Sequence, residues 1–263
     1  MAGMLIAAAV ALGVAGWLVF TSRTEKTKYQ KALLMETSST ATLRELHKAA
    51  TETAGENSYR EAVELDGTAQ PGPGGLLTSE LTGTECVWYM QKVTRRYKDV
   101  YRDSDGHRRT RNKEEVLTRN RSKDPFVLRD ADGEVTVVPE TNVQSAKKVL
   151  SEFREGRDHD NGPSFSFGGL NVNLGSSGDG DTIGFKYEEW VLPVGTHIYV
   201  QGSAVDRSGE LQVCKGEEAM VISTRSEEEI LEEHRKKSHA AKIGSVVAAV
   251  AAVGLAVGAF FVG

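Results

Sequence analysis

The last stretch of the chain, residues 243–262, constrains this protein more than any other part of its sequence. It reads IGSVVAAVAAVGLAVGAFFV and contains no charge, no proline and no amide side chain. Because a helix rises about 1.5 Å per residue, a run of this length spans about 30 Å, the hydrocarbon thickness of a bilayer. A buried helix of a soluble protein seldom lacks a polar face over such a length. The sequence therefore predicts a transmembrane helix at residues 243–262.

The first residues of the chain repeat this pattern. Residues 1–20 lack charged side chains, and the first four include no Lys or Arg. A cleaved signal peptide normally begins with basic residues, so we expect an uncleaved transmembrane helix at residues 1–21 instead. Small residues four positions apart are candidate contacts between helices or between copies in a homo-oligomer. These pairs are Ala9 with Gly13 and Gly254 with Gly258, and simple filling of an apolar span is the alternative for both.

Charged residues beside the two apolar runs predict the orientation of the chain in the membrane. The inner flanks contain Arg23, Lys26, Lys28, Lys31, Arg235, Lys236, Lys237 and Lys242, whereas the outer flanks contain no Lys or Arg. The positive-inside rule then predicts an integral, two-pass membrane protein with a cytosolic middle region and both termini outside.

The region between the two apolar runs has the pattern of a β domain with helical borders. Residues 22–57 predict a juxtamembrane helical segment, in which a capping box at Thr42 begins a short helix that ends near Ala54. Residues 58–225 predict the β domain, and residues 226–242 predict a charged helix. Strands are expected at 60–69, 86–100, 126–129, 134–138, 187–193, 197–202, 210–214 and 220–224.

Three further segments of the β domain have predictions of their own. The turn from Asp130 to Gly133 predicts a tight hairpin, because an Asp-Gly pair supplies the left-handed backbone that such turns need. We expect a wide hairpin loop at 101–123 and a short helix at 145–154. Residues 156–184 contain eight of the 27 glycines and predict a flexible insertion. The fold class that follows is mainly β with flanking helices, a small antiparallel barrel or sandwich, with an OB-like barrel as one option.

Four segments of the chain carry a family resemblance. They are TGTECVWYMQKVTRRY (82–97), DPFVLRDADGEVTVVPE (124–140), EEWVLPVGTHIYVQG (188–202) and MVISTRS (220–226). Between two predicted membrane helices, these segments resemble the GIDE family, whose beside-a-membrane (BAM) domain occurs in membrane-anchored mitochondrial ubiquitin ligases. The resemblance implies a β-rich recognition domain. In the eukaryotic members it also implies ligase activity, carried by a RING finger that follows the second helix.

The cysteine content separates this sequence from the RING-bearing members of that family. A RING finger binds zinc through closely spaced pairs of Cys and His, whereas this sequence contains two isolated cysteines, Cys86 and Cys214. No ligase residue can therefore be carried over, and the nucleotide-loop, GxSxG and HExxH patterns are also missing. We expect no catalytic, cofactor or metal site, and reduced, structural cysteines. The RING-less form resembles the prokaryotic branch of the family, which implies a bacterial plasma membrane.

Two functional classes follow from these observations. The first is a membrane-anchored interaction module that binds a protein partner or anionic lipid headgroups; the second is an E3 ubiquitin transferase by family relationship, or an unrecognised membrane-associated enzyme. The net charge of -5 gives no argument for nucleic acid. Between Lys92 and Asp124, however, basic residues outnumber acidic ones by 12 to six. A solvated hairpin is the simplest interpretation of this segment. The candidate contacts to headgroups or to an acidic partner are Arg95, Arg96, Arg108, Arg109 and Arg111.

The predicted orientation can be tested with an engineered cysteine. A cysteine introduced within residues 156–184 should resist a membrane-impermeant thiol reagent in intact cells, and should react once the cells are opened. Labelling in intact cells would contradict the cytosolic location of the β domain.

Overall fold

The computed structural model describes residues 37–155, 164–167, 170–173, 182–217, 219–226, 229 and 232. Nearly all of these residues belong to one compact unit, Thr37–Arg225. The predicted membrane helices at 1–21 and 243–262 lie outside the described residues, as do Ala9, Gly13, Gly254, Gly258 and most of the predicted charged helix. Within the described part of the chain, no helix has the length and apolar character needed to cross a membrane.

The described elements are one helix and a series of strands. In chain order they are α1 (Thr40–Ala54), β1 (Arg60–Gln70), β2 (Leu77–Thr78), β3 (Glu85–Cys86), β4 (Trp88–Arg102), β5 (Arg108–Arg121), β6 (Phe126–Arg129), β7 (Glu134–Val137), β8 (Val143–Gln144), β9 (Lys147–Glu155), β10 (Ser164–Phe167), β11 (Leu170–Asn173), β12 (Thr182–Leu192), β13 (His197–Arg207), β14 (Glu210–Cys214) and β15 (Val221–Ser223).

Five of the strands close a barrel. Around the ring the order is β1-β6-β7-β14-β13, and β13 pairs back with β1. Strand directions cannot alternate around a closed ring that has an odd number of strands, so at least one neighbouring pair must be parallel. That pair is β7 with β14, whereas the other neighbours in the ring are antiparallel. The prediction of a mainly β fold with a small barrel is confirmed, although the barrel is not wholly antiparallel.

Apolar side chains from the barrel strands and from the start of β4 fill the barrel core. Trp88, Phe126, Leu128 and Ile198 are fully buried in one cluster. Leu43 of α1 belongs to the same cluster, so the helix covers part of the barrel. The predicted hairpin at 126–138 is confirmed, because β6 and β7 pair in register across its turn.

The start of helix α1 differs from the predicted capping box. The helix begins at Thr40, and the side chain of Ser39 accepts a hydrogen bond from the backbone N–H of Thr42. Thr40 donates its backbone N–H and its hydroxyl to the Asp130 carboxylate, at 2.8 and 2.7 Å. Asp130 belongs to the β6–β7 turn, so a tertiary contact adds to the local cap of Ser39 at the start of the helix.

A second sheet contains β5, β4, β12 and β9, in that order. β4 and β5 pair along almost their whole length, from Met90 with Arg121 to Arg102 with Arg108. The predicted wide loop at 101–123 is therefore wrong, since a short turn joins two long strands. The predicted helix at 145–154 is also wrong, because β9 occupies those residues and pairs with β12.

The predicted insertion at 156–184 is described only in part. β10 pairs with β11 in a short hairpin, and β12 begins at Thr182. The remaining residues of the insertion lie outside the described part of the chain. Both cysteines are free and buried, as expected for structural thiols.

A buried carboxylate on β12 holds the segment between β2 and β3. Glu189 accepts hydrogen bonds from the backbone N–H groups of Leu81 and Thr82, at 2.8 and 3.0 Å. It also accepts from the hydroxyls of Ser79 and Thr82, at 2.9 and 2.6 Å. Since Leu81 packs in the apolar cluster of the second sheet, this carboxylate positions a side chain that covers that sheet.

Removal of the Glu189 carboxylate should destabilise the domain. Glu189→Ala would leave buried donors without an acceptor, which costs about 3 kcal/mol. For a domain of this size we expect the thermal midpoint to fall by about 6–12 °C. Circular dichroism of the detergent-solubilised chain measures this shift. Glu114→Ala is the matched control, because Glu114 forms an exposed ion pair worth less than about 1 kcal/mol. Equal midpoints for the two variants would contradict this structural role.

Candidate functional site

The second sheet has two faces of different character, because successive side chains of a strand point to opposite sides. The packed face consists of the odd-numbered residues 89–101 of β4 and the residues paired with them; it includes Val93, which packs with Leu81, Phe185 and Tyr187. The open face consists of the even-numbered residues 90–102 of β4 and the residues paired with them across the sheet.

Most basic residues on the packed face lie beside carboxylates. Three of the five predicted arginines are there: Arg95 lies 3.9 Å from Glu115, Arg109 lies 2.6 Å from Asp103, and Arg111 lies 2.9 Å from Asp99. The ammonium of Lys113 also lies 2.8 Å from Asp99. The charges of these four residues are therefore balanced by neighbours on the same face.

Basic residues on the open face are less well balanced. Arg102 pairs directly with Arg108, and Lys92 pairs directly with Arg119, although like charges directly opposite each other destabilise a sheet. Among the described residues, no carboxylate lies within ion-pair distance of five basic side chains on this face. They are Lys98, Arg102, Arg108, Arg119 and Arg121, the last of which donates to the Asn142 side chain and to the Glu140 carbonyl.

The two remaining predicted arginines lie on the open face in different surroundings. Arg108 is one of the five basic residues without a carboxylate neighbour, whereas Arg96 lies 2.7 Å from Glu114. The guanidinium of Arg96 also lies 5.6 Å from the centre of the Phe153 ring. The structure divides the five predicted arginines between two faces of the sheet. Their contact with headgroups or with an acidic partner stays a prediction.

Apolar side chains are exposed among these charges. Val100, Val116 and Phe153 belong to the open face and are exposed to solvent. The Phe153 ring lies above Gly184, where a Cβ atom would come within 2.7 Å of the ring. Basic residues with exposed aromatic and aliphatic side chains are the composition of surfaces that bind at the membrane interface.

A cluster of three lysines around one carboxylate lies on the same face. We call Lys92, Lys148 and Lys186 the lysine triad. Their ammonium groups lie 2.9, 2.8 and 3.0 Å from the carboxylate oxygens of Glu188. Trp190 lies beside them, with its ring centre 4.7 Å from the ammonium of Lys148. Sequence reasoning missed this cluster, although the alternation of Lys186, Glu188 and Trp190 along one strand was a signal for a shared face.

The charge state of Glu188 follows from its neighbours. Burial alone would raise the pKa of Glu188, but hydrogen bonds from Lys148, Lys92 and Lys186 outweigh burial and lower the pKa to about 2. The carboxylate is therefore ionised at neutral pH, and it neutralises one of three ammonium charges. The cluster keeps two positive charges.

Two other groups of reactive side chains have structural explanations. Asp103, Asp105 and His107 bring potential metal ligands within 4.8 Å of one another at the β4–β5 turn. The Asp103 carboxylate, however, already accepts the backbone N–H groups of Asp105 and His107. Burial raises the pKa of the Cys86 thiol to about 11, which disfavours the nucleophilic thiolate.

The fold and this site together define a mainly β domain, with a five-stranded barrel and a second sheet whose open face is basic. The sequence profile of the family described as GIDE, E3 ubiquitin ligase, matches residues 96–258. The match covers more than half of the chain, so this chain belongs to the GIDE family. Searches of curated proteins and of solved structures gave no match.

The depressed pKa of Glu188 predicts a defined pH dependence. A carboxylate whose pKa falls on folding contributes stability above its unfolded pKa, and this contribution is lost as the pH falls toward the folded pKa. Between the ordinary value of 4.5 and about 2, wild type should lose on the order of 3 kcal/mol through this group.

Thermal midpoints measured from pH 7 to pH 2 test this dependence. Glu188→Gln should be less stable than wild type at pH 7 and should lose less stability on acidification, whereas the Glu114→Gln control should follow the wild-type curve. Parallel curves for wild type and Glu188→Gln would show that the triad does not hold an ionised carboxylate.

Proposed function

We propose that this chain is a membrane-tethered recognition module of the GIDE family, whose open face binds anionic lipid headgroups. The observation that carries the proposal is the difference between the two faces of one sheet. On the packed face, Lys147 alone of the described basic residues lacks a carboxylate neighbour, and Arg95, Arg109, Arg111, Lys113 and Arg154 have one. On the open face, five described basic residues have none: Lys98, Arg102, Arg108, Arg119 and Arg121.

The tether in this proposal is the pair of apolar runs at 1–21 and 243–262. Two membrane helices would keep the β domain close to a lipid surface and so raise its effective concentration there. Each basic residue near an anionic leaflet adds about 1 kcal/mol of attraction. We place the β domain in the cytosol, at the inner face of the plasma membrane, on the strength of the flanking charges. Association into homo-oligomers through the small residues of these helices belongs to the same proposal.

Ligase chemistry is the second candidate, because the description of the family is E3 ubiquitin ligase. The 263 residues of this sequence contain two cysteines, and neither has the spacing of a zinc site. We therefore propose that these residues supply recognition and no transfer step. For the barrel we propose an OB-like arrangement, on the basis of five strands in a closed ring.

Lysine footprinting of the full chain in lipid nanodiscs tests the proposal. The acetylation rate of Lys98, on the open face, should be lower in discs that contain anionic lipid than in neutral discs. At about 1 M salt, where charges are screened beyond about 3 Å, the two rates should converge. Lys113, on the packed face, serves as the internal control and should react at the same rate in both discs. Equal rates for Lys98 in both discs would reject lipid binding and leave an acidic protein as the next partner to test.

Two double variants separate the open face from simple net charge. Arg102→Gln with Arg108→Gln removes two positive charges from the open face, and Arg109→Gln with Arg111→Gln removes two from the packed face of the same hairpin. Only the first variant should bring the Lys98 rate in anionic discs up to the rate in neutral discs. An equal effect of both variants would mean that total charge, and no particular face, attracts the lipid.

A further inference from the structure

The lysine triad is built from three strands of the second sheet. Lys92 lies on β4, Lys148 on β9 and Lys186 on β12. The side chain of Glu188 is 4% exposed, whereas those of the three lysines are 23%, 43% and 41% exposed. The carboxylate therefore lies at the base of the cluster, and the ammonium groups lie between it and the solvent.

The triad has hydrogen-bonding capacity beyond its contacts with Glu188. Each ammonium has three N–H donors, and one donor from each lysine suffices for the contacts to the carboxylate. The remaining donors can reach a ligand that approaches from the open face. The cluster also keeps two positive charges, so an anion there would relieve repulsion among the lysines.

Two neighbouring side chains, Trp190 and Thr94, add features of a binding site to the lysine triad. The Trp190 ring lies 5.9 Å from the ammonium of Lys92 and 4.7 Å from that of Lys148, and such contacts favour cations above the ring. Thr94 pairs directly with Lys186 across the sheet. Its hydroxyl is buried and has no hydrogen-bond partner among the described residues. A buried hydroxyl without a partner costs stability, and a ligand oxygen could supply that partner.

We propose that the lysine triad, together with Thr94, binds a phosphomonoester group. A phosphomonoester carries about -1.5 to -2 charges at pH 7 and has three acceptor oxygens, which matches the two positive charges and the free donors of the cluster. A phosphodiester carries a single charge and neutralises only half of the site. This inference rests on the proposed function and deepens it, since it names the class of headgroup that the open face selects.

The phosphate group at this site could belong to a lipid headgroup or to a soluble phosphate. The full chain is therefore compared in nanodiscs that contain phosphatidic acid, a phosphomonoester, and phosphatidylglycerol, a phosphodiester, adjusted to equal surface charge. Acetylation of Lys148 and Lys186 should be about fivefold slower in the phosphatidic acid discs, the ratio that one additional favourable charge produces. A third arm adds inorganic phosphate to neutral discs, and protection there would assign the site to a soluble ligand.

Variants connect this preference to the triad. In the double variant Lys148→Gln with Lys186→Gln, the acetylation rate of Lys92 should be the same in the phosphatidic acid discs and in the phosphatidylglycerol discs. Thr94→Val keeps every charge of the triad and should reduce the difference without loss of fold. Arg102→Gln with Arg108→Gln is the matched control, because it removes two charges from the same face outside the triad. This control should weaken protection by both lipids and keep the difference between them.

The outcomes separate this inference from the proposed function. Equal protection of Lys148 and Lys186 by the two lipids, with Lys98 still protected, would overturn the phosphomonoester site and leave headgroup binding intact. Absence of protection in every arm, including inorganic phosphate, would overturn both. A preference for phosphatidic acid that survives in the Lys148, Lys186 and Thr94 variants would also reject the triad as its origin.

Discussion

The pairing of β4 with β12 determines which residues lie together on each face of the second sheet. In this register Val93 lies opposite Tyr187 on the packed face, and Lys92 lies opposite Glu188 on the open face. A slip of one residue would exchange the faces and expose Val93 to solvent. Burial of each such apolar side chain is worth about 1.5–3 kcal/mol, so the packed face holds the register on which the open face depends.

Two adjacent acidic residues of β12 point to opposite faces of the sheet and have different roles. Glu189 is fully buried and accepts hydrogen bonds from the segment that covers the packed face. Glu188 points to the other side, where three lysines surround its carboxylate. The same strand therefore stabilises the domain with one carboxylate and organises a positively charged cluster with the next.

Local patterns in the sequence were sufficient for some elements and insufficient for others. The β6–β7 hairpin could be predicted because its Asp-Gly turn and alternating apolar residues are local signals. β5 was missed because RRTRNKEEVLTRNR has almost no apolar alternation, and its conformation depends on pairing with β4. The basic character of 92–124 was visible, but its division between two faces depends on register. The alternation along β12 indicates that Lys186 and Glu188 share a face, but the other two lysines come from strands separated from it by long stretches of chain.

In the proposed arrangement, the open face contacts lipid while the packed face does not. A photoreactive amino acid at Val116, which is exposed on the open face, tests this directly in the full chain in membranes that contain radiolabelled phospholipid. The same amino acid at Lys113 reports on the packed face of the same strand. Labelled lipid should be captured from position 116 and not from position 113. Equal capture from the two positions, or capture of protein alone from position 116, would contradict lipid contact by the open face.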